Sequence, residues 1–127
     1  MRNHYIFWGA LGAALAVALG AMGAHFIGKN FAERSVELFE TASKYQMFHC
    51  VAIIVAGIMA ERKKHLSFLL PAILFGTGIL FFSGSLYLLA VKDVLSFDTK
   101  ILGPITPIGG VLFIAGWLLL AIKAIKR

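Results

Sequence analysis

The chain has 127 residues, of which 60% are hydrophobic and only 14% are charged. A soluble domain has about 45 to 50% apolar and about 25% charged residues, so this composition indicates one polytopic membrane domain over residues 1–127. The net charge is +6, but the chain has no soluble segment long enough to present a basic surface to nucleic acid. We expect the positive charge to reflect the orientation of the chain in the membrane. The single cysteine, Cys50, excludes an internal disulfide and a cysteine cluster for a metal.

The first apolar segment, residues 5–28, predicts a transmembrane helix over about residues 5–27. Its basic start and small residues resemble a secretory signal peptide, but three more apolar segments follow, so we interpret it as a retained span. At 100° per residue its glycines and alanines form one stripe, which allows close helix packing in lipid. We predict that Gly12, Ala16 and Gly20 pack against another helix of the same subunit.

The segment after the first span predicts an amphipathic helix over about residues 31–43. Asn30 and Glu33 have the spacing of a capping box, which makes Asn30 the predicted N-cap. We expect this helix to lie in the headgroup region and to run directly into a second span over about residues 43–60. The uncharged run 45–60 extends only about 24 Å, so the span must include residues of the amphipathic helix.

Residues 66–91 contain no formal charge and predict the third span. At helical spacing, Gly76 and Gly84 fall on one face of this segment. Gly78 and Ser85 fall on the opposite face. Because small and hydroxyl residues let helices approach one another in lipid, we predict that this is the central helix of a bundle, with neighbours on both sides.

A fourth span is predicted over about residues 104–122. Thr106 can act as an N-cap and Pro107 suits the first helical position, so we expect the regular helix to begin there. Gly109 and Gly116 are its predicted packing residues. The predicted fold class is therefore an all-α integral membrane protein with four transmembrane helices and a short amphipathic interfacial helix between spans 1 and 2.

The positions of Lys and Arg predict the orientation of the chain in the membrane. With four spans, both termini and the loop 61–65 lie on one side. Seven of the 12 basic residues fall on that side and cluster at span ends, which favours a multi-pass protein with both termini inside. The seven are Arg2, Arg62, Lys63, Lys64, Lys123, Lys126 and Arg127.

Polar residues within or near the spans form a candidate cluster. His49 is foremost, because an ionisable residue on the small-residue face of a span is costly to bury and often functional. The structural alternative is a neutral His49 that hydrogen-bonds a facing hydroxyl, such as Tyr87 or Ser83, and only joins two helices. His25 lies at the same end of the membrane but away from the glycine stripe, which disfavours a haem or metal site of two histidines. The cluster comprises His49, Tyr45, Gln46, Ser83, Tyr87 and His25.

No motif supports a catalytic site. Ser83 and Ser85 flank Gly84 without a GxSxG pattern, and no acidic residue lies deep in a span. The glycine-rich residues 103–110 lack the lysine of a P-loop. We therefore predict no catalytic residue, no metal ligand and no cofactor, and leave open whether any residue binds another ligand.

Four segments are distinctive in combination: GAMGAHFIG at residues 20–28, TASKYQMFHCVAI at 41–53, FSGSLYLLA at 82–90 and LGPITPIGGVLFIAGW at 102–117. Together they resemble the family of domain of unknown function 423, small bacterial membrane proteins also grouped as UPF0382. The resemblance implies four transmembrane helices and a location in the cell membrane, the bacterial inner or plasma membrane. The family has no established activity, so the resemblance assigns no catalytic residue.

Three functions remain open from the sequence. The first is a non-enzymatic accessory, scaffold or oligomer-forming protein, which the glycine stripe favours. The second is an oligomeric channel or transporter for a small solute or ion, with the polar cluster near His49, although the spans lack the carboxylate that proton-coupled cation export needs. The third is a lipid- or quinone-linked membrane enzyme. The expected partners are the lipid bilayer and either a second copy or another membrane protein.

Overall fold

A computed structural model describes residues 3–63 and 68–125. These residues form four long helices and no β-strand, which confirms the prediction of an all-α protein with four transmembrane helices. Each helix is long and apolar enough to cross a bilayer. The helices are α1 (His4–Asn30), α2 (Glu33–Lys63), α3 (Leu69–Ala90) and α4 (Leu102–Ile125).

The boundary between α1 and α2 differs from the predicted one. Asn30 is the last residue of α1, and its side-chain amide donates to the carbonyl of Phe26 at 2.9 Å. Phe31 is extended, with φ −129° and ψ 165°, which ends the helix. The predicted capping box is therefore wrong, and α2 begins at Glu33 rather than at residue 31.

The amphipathic segment and the second span form one continuous helix, α2, of 31 residues. At about 1.5 Å per residue this helix extends about 46 Å, against about 30 Å for the hydrocarbon core of a bilayer. Its charged first turns therefore extend beyond the hydrocarbon. The expectation that the amphipathic helix runs directly into the second span is confirmed.

A π turn at Ile79–Ser83 interrupts α3. Because a π turn contains an additional residue, the helical phase shifts across it. Gly78 and Ser85 both contact α4, as predicted for one shared face. A Cβ atom at Gly76 would have no neighbour within 4 Å, and one at Gly84 would meet only the Ile79 carbonyl of its own helix. These two glycines do not pack against another helix, contrary to the prediction. Leu66 and Ser67, at the start of the predicted third span, lie outside the described residues.

The start of α4 also differs from the predicted start. The helix begins at Leu102, so Thr106 is not its N-cap: the Thr106 hydroxyl donates to the Leu102 carbonyl inside the helix, at 3.3 Å. Pro107 lies inside the helix rather than at its first position. The capping side chain is Asp98, which accepts the backbone N–H of Lys100 at 3.0 Å in the short 3-10 turn that precedes α4.

The inner helices of the bundle are α2 and α3. Buried residues make up 39% of the most apolar stretch of α2 and 33% of that of α3, but only 17% in α1 and in α4. Most of the packing of α1 is against α2, and α4 packs against α3. The predicted neighbours on both sides of α3 are present, as α2 and α4.

Glycines allow the closest helix approaches. A Cβ atom at Gly12 of α1 would lie 2.6 Å from the Cys50 sulfur of α2, and one at Gly116 of α4 would lie 2.7 Å from the Phe75 ring of α3. Neither contact leaves room for a side chain, so the backbones pack directly against the neighbouring helix. The predicted packing residues that are buried or face another helix are Gly12, Ala16, Gly20, Gly109 and Gly116.

Candidate functional site

Gln46 joins three helices through its side-chain amide. Its nitrogen donates to the carbonyl of Gly12 in α1 at 2.8 Å, and its oxygen accepts the hydroxyl of Tyr87 in α3 at 2.7 Å. The first bond depends on the glycine stripe, because a main-chain oxygen comes within reach only where the two helices are close together. Gln46 and the stripe therefore act together to hold α1, α2 and α3.

Two serines join α3 to the helices on either side of it. The Ser83 hydroxyl is completely buried and donates to the carbonyl of Ala42 in α2 at 2.8 Å. The Ser85 hydroxyl is hydrogen-bonded to the hydroxyl of Thr106 in α4. One serine thus bonds α3 to α2 and the other bonds it to α4.

His49 is buried, with 4% of its surface exposed, and both of its ring nitrogens are hydrogen-bonded. Nδ1 lies 2.7 Å from the carbonyl oxygen of Tyr45, one turn earlier in α2. The indole N–H of Trp117 in α4 donates to Nε2 at 3.0 Å. A carbonyl can only accept and an indole can only donate, so the network assigns the neutral tautomer with hydrogen on Nδ1.

Aromatic rings surround the imidazole of His49. The ring stacks on Phe113 of α4, with centroids 3.6 Å apart and an interplanar angle of 12°. Phe75 of α3 lies at 5.6 Å and Trp117 at 5.8 Å, both inclined to the imidazole. This packing fixes the ring plane and excludes other polar groups from its faces.

The six predicted cluster residues do not form one cluster. Gln46 bonds to Tyr87, Ser83 bonds to Ala42, and His49 bonds to Tyr45 and Trp117. His25 is exposed in the π turn of α1. The prediction that Tyr87 or Ser83 bonds His49 is wrong. Residues three apart lie about 60° apart around a helix axis, so Gln46 faces α1 and α3 while His49 faces α4.

Sequence reasoning missed Trp117 and Phe113 as neighbours of His49. The available signal was the indole N–H, which needs an acceptor when it is buried in a span. The imidazole of His49 carries a nitrogen that can accept such a donor. Pairing the two required knowing that α4 lies beside α2, which the sequence pattern does not specify.

No buried side-chain nitrogen or oxygen of residues 3–63 and 68–125 lacks a hydrogen-bond partner. Within the same ranges no group of three or more His, Cys, Asp or Glu residues could hold a metal ion. Each buried polar side-chain atom of these ranges is therefore paired, either with a neighbouring helix, as in Gln46 and Ser83, or with the backbone of its own helix, as in Nδ1 of His49.

A groove of about 790 Å³ lies beside His49, between α2 and α4. These two helices both contact α3 but are farther from each other, and side chains rather than backbones meet between them. The groove walls are formed by Tyr45, Phe48 and Val51 of α2 and by Gly110, Ile114 and Trp117 of α4.

Large apolar side chains cover the outside of the bundle. Leu80 in α3 is 70% exposed and Val17 in α1 is 62% exposed, a distribution that water would oppose and that a hydrocarbon surrounding stabilises. Apolar residues outside and paired polar residues inside define a polytopic integral membrane protein.

Comparison with known proteins gives the family. The profile of the family described as "Protein of unknown function (DUF423)" matches residues 19–110. A UPF0382 membrane protein of Staphylococcus epidermidis is 43% identical over 122 residues, which is 96% of this chain and 95% of the relative. The UPF0382 membrane protein YwdK of Bacillus subtilis is 37% identical over 123 residues, covering 96% of each chain. The UPF0382 inner membrane protein YgdD of Escherichia coli K12 is 33% identical over 121 residues, covering 95% of this chain and 88% of YgdD.

The chain therefore belongs to the DUF423 (UPF0382) family of membrane proteins, and the resemblance of its four segments is confirmed. The family description and the names of these relatives state no activity. No solved structure matches the chain.

Proposed function

We propose that the protein is a non-enzymatic accessory or scaffold protein of the cell membrane, which acts through contacts in the plane of the bilayer. The observation that carries this proposal is the use of the buried polar side chains within the bundle. A catalytic or transporting group must offer its lone pair or proton to a ligand. Gln46 instead bonds to α1 and α3 through its amide. His49 uses one ring nitrogen on the Tyr45 carbonyl of its own helix and the other on Trp117 of α4.

The channel or transporter alternative receives less support. An ion path needs polar groups that face water, and in transport proteins such groups in a span are typically ionisable. Here the hydrogen bonds of Gln46, Ser83 and Tyr87 run between helices. These contacts favour a role in holding the bundle together.

We also propose that both termini lie inside. Seven basic residues cluster at the termini and in the 61–65 loop, which favours this orientation. Of the seven, Arg2, Lys64, Lys126 and Arg127 lie outside the described residues. Single cysteines at Arg62 and at Ser96, in a Cys50→Ala background, test this orientation with an impermeant thiol reagent. Position 96 should react in intact cells and position 62 only after permeabilisation. The reverse pattern would overturn the orientation.

Photo-cross-linking in native membranes tests the accessory role. A photoreactive residue is placed at Val17 of α1 or at Leu118 of α4, both of which are exposed on the outer helices. We expect a discrete protein adduct from at least one position, identified by mass spectrometry and reproduced by cross-linking from the partner. The adduct should persist in a His49→Gln variant, because that change keeps hydrogen-bonding capacity.

The matched experiment uses the purified protein in liposomes. The proposal predicts no ion or solute flux above that of empty liposomes. A flux that His49→Leu removes while the protein stays folded would overturn the proposal, and so would the absence of any adduct at both positions.

A further inference from the structure

The groove between α2 and α4 opens sideways toward the bilayer. Phe48 and Val51 on one wall and Ile114 on the other are exposed, so the rim contacts hydrocarbon. Its volume of about 790 Å³ lies within the about 300 to 1,000 Å³ typical of small-molecule sites, which are mostly apolar with a few placed polar groups.

Gly110 gives the groove its depth. A Cβ atom at this position would have one neighbour, the Phe82 ring edge at 3.9 Å, which is an ordinary contact. Gly109 differs, because a Cβ atom there would collide with the backbone of Phe82 in α3. The two adjacent glycines therefore have separate roles: Gly109 permits helix contact, whereas Gly110 leaves space that no side chain of the described residues fills.

The walls of the groove are apolar along most of their length, and one end carries a positive charge. From Lys44 to Val51 the wall of α2 extends about 10 Å, which is about two-thirds of the roughly 15 Å hydrocarbon depth of one leaflet. Lys44 is exposed at the end nearer the charged turns of α2 and is the charged residue of the described groove lining. A lysine at this depth extends its ammonium group to the headgroup region.

A ligand that fills the groove needs an apolar part along the groove walls and a negative charge beside Lys44. A quinone head is neutral and gives Lys44 no counter-charge. A phospholipid with a net negative headgroup supplies both parts: an acyl chain for the groove and an anionic phosphate for the ammonium group of Lys44. We infer that the groove holds one acyl chain of an anionic phospholipid from the surrounding bilayer, with the lipid phosphate beside Lys44. This inference does not depend on the proposed accessory function.

Native mass spectrometry of the detergent-purified protein tests the site with two lipids of identical acyl chains, phosphatidylglycerol and phosphatidylcholine. Phosphatidylglycerol should bind with a stoichiometry of one and more tightly than phosphatidylcholine. Gly110→Leu fills the groove and should remove the binding of both lipids. Gly76→Leu, which enlarges a glycine with no neighbour within 4 Å, is the matched control and should bind as the parent does.

The charged end is tested by Lys44→Gln. It should weaken phosphatidylglycerol binding about fivefold, the effect of one lysine near an anionic surface, and weaken phosphatidylcholine binding less, because the choline ammonium offsets the charge of the phosphate. Lys29→Gln is the control, an exposed lysine at the end of α1 outside the groove, and should change neither. Thermal melts confirm that each variant is folded. If Gly110→Leu does not fold, Ile114→Trp narrows the groove from an exposed position instead.

Three outcomes would overturn the inference. In the first, Gly110→Leu and Ile114→Trp bind lipid as well as Gly76→Leu does. In the second, the parent binds the two lipids equally. In the third, the groove variants change only the population of dimers in the same spectra, which would assign the groove to a second copy of the chain.

Discussion

The two sides of α2 are built differently. Toward α1, Gly9 and Gly12 bring the backbones together, and Gln46 reaches a main-chain carbonyl across the contact. Toward α4, the aromatic side chains Phe113 and Trp117 reach His49, and a groove remains beside them. A hydrogen bond to a glycine carbonyl requires close helix axes, whereas a contact between two long side chains does not. The first side is therefore a closed contact and the second an open one.

The largest effect should come from breaking the closed contact with Gly9→Leu. A Cβ atom at Gly9 would lie 2.8 Å from the Cys50 carbonyl oxygen and 2.6 Å from the Ile54 side chain. Because the backbone oxygen cannot move aside, we expect a loss of about 3 kcal/mol or more in the free energy of unfolding. Unfolding in mixed micelles measures the loss. Gly76→Leu is the control, and equal stability of the two variants would show that α1 and α2 are not in close contact.

An intermediate effect is expected from Gln46→Leu. This substitution removes two interhelical hydrogen bonds and leaves the Tyr87 hydroxyl and the Gly12 carbonyl without this partner. Interhelical hydrogen bonds in membranes average about 0.6 kcal/mol each, so the loss should be about 1 to 2 kcal/mol. Tyr87→Phe, which removes one of the two bonds, should cost about half as much. A Gln46→Leu variant as stable as the parent would contradict the structural role of the amide.

The smallest effect should be found at the open contact. His49→Leu should cost about 1 kcal/mol, because it leaves the Trp117 indole N–H unpaired, while His49→Gln should preserve stability. Trp117→Phe removes the donor and should cost about 0.6 kcal/mol. A double-mutant cycle of His49→Leu and Trp117→Phe isolates the bond between them. Trp8→Phe is the control, since Trp8 is 62% exposed on α1. A coupling energy of zero would show that the His49–Trp117 hydrogen bond does not contribute to stability.

The same contrast explains which features the sequence could predict. Long uncharged segments predict spans, because hydrocarbon thickness and helical rise leave few alternatives. The stripe that contains Gly12 and Gly20 could likewise be predicted, because it lies before the π turn of α1 at Gly23–Ile27, where the regular helical spacing still holds. The faces of α3 could be predicted only in part: Gly78 and Ser85 both contact α4 as expected, whereas Gly76 and Gly84, on either side of the π turn at Ile79–Ser83, do not contact another helix.

The helix boundaries and the partners of His49 were harder to predict. Asn30 has a side chain that can cap a helix, but its amide donates to the Phe26 carbonyl of α1, the helix that it ends. Residue type alone therefore assigned Asn30 to the start of the wrong helix. Asp98, rather than Thr106, is the capping side chain, and it caps the 3-10 turn that precedes α4. Trp117 is the hydrogen-bond partner of His49 because α4 lies beside α2. This arrangement depends on contacts between segments that are far apart in the chain.

Polar side chains in the spans bond the helices to one another, and His49 is the residue at which this role can be tested most directly. ¹⁵N NMR of the labelled protein in lipid bilayers reports which ring nitrogen carries the hydrogen and whether Nε2 is coupled to the Trp117 indole nitrogen. We expect hydrogen on Nδ1, an unprotonated Nε2 and a coupling that disappears in Trp117→Phe. Hydrogen on Nε2, or an Nε2 signal that Trp117→Phe leaves unchanged, would contradict it.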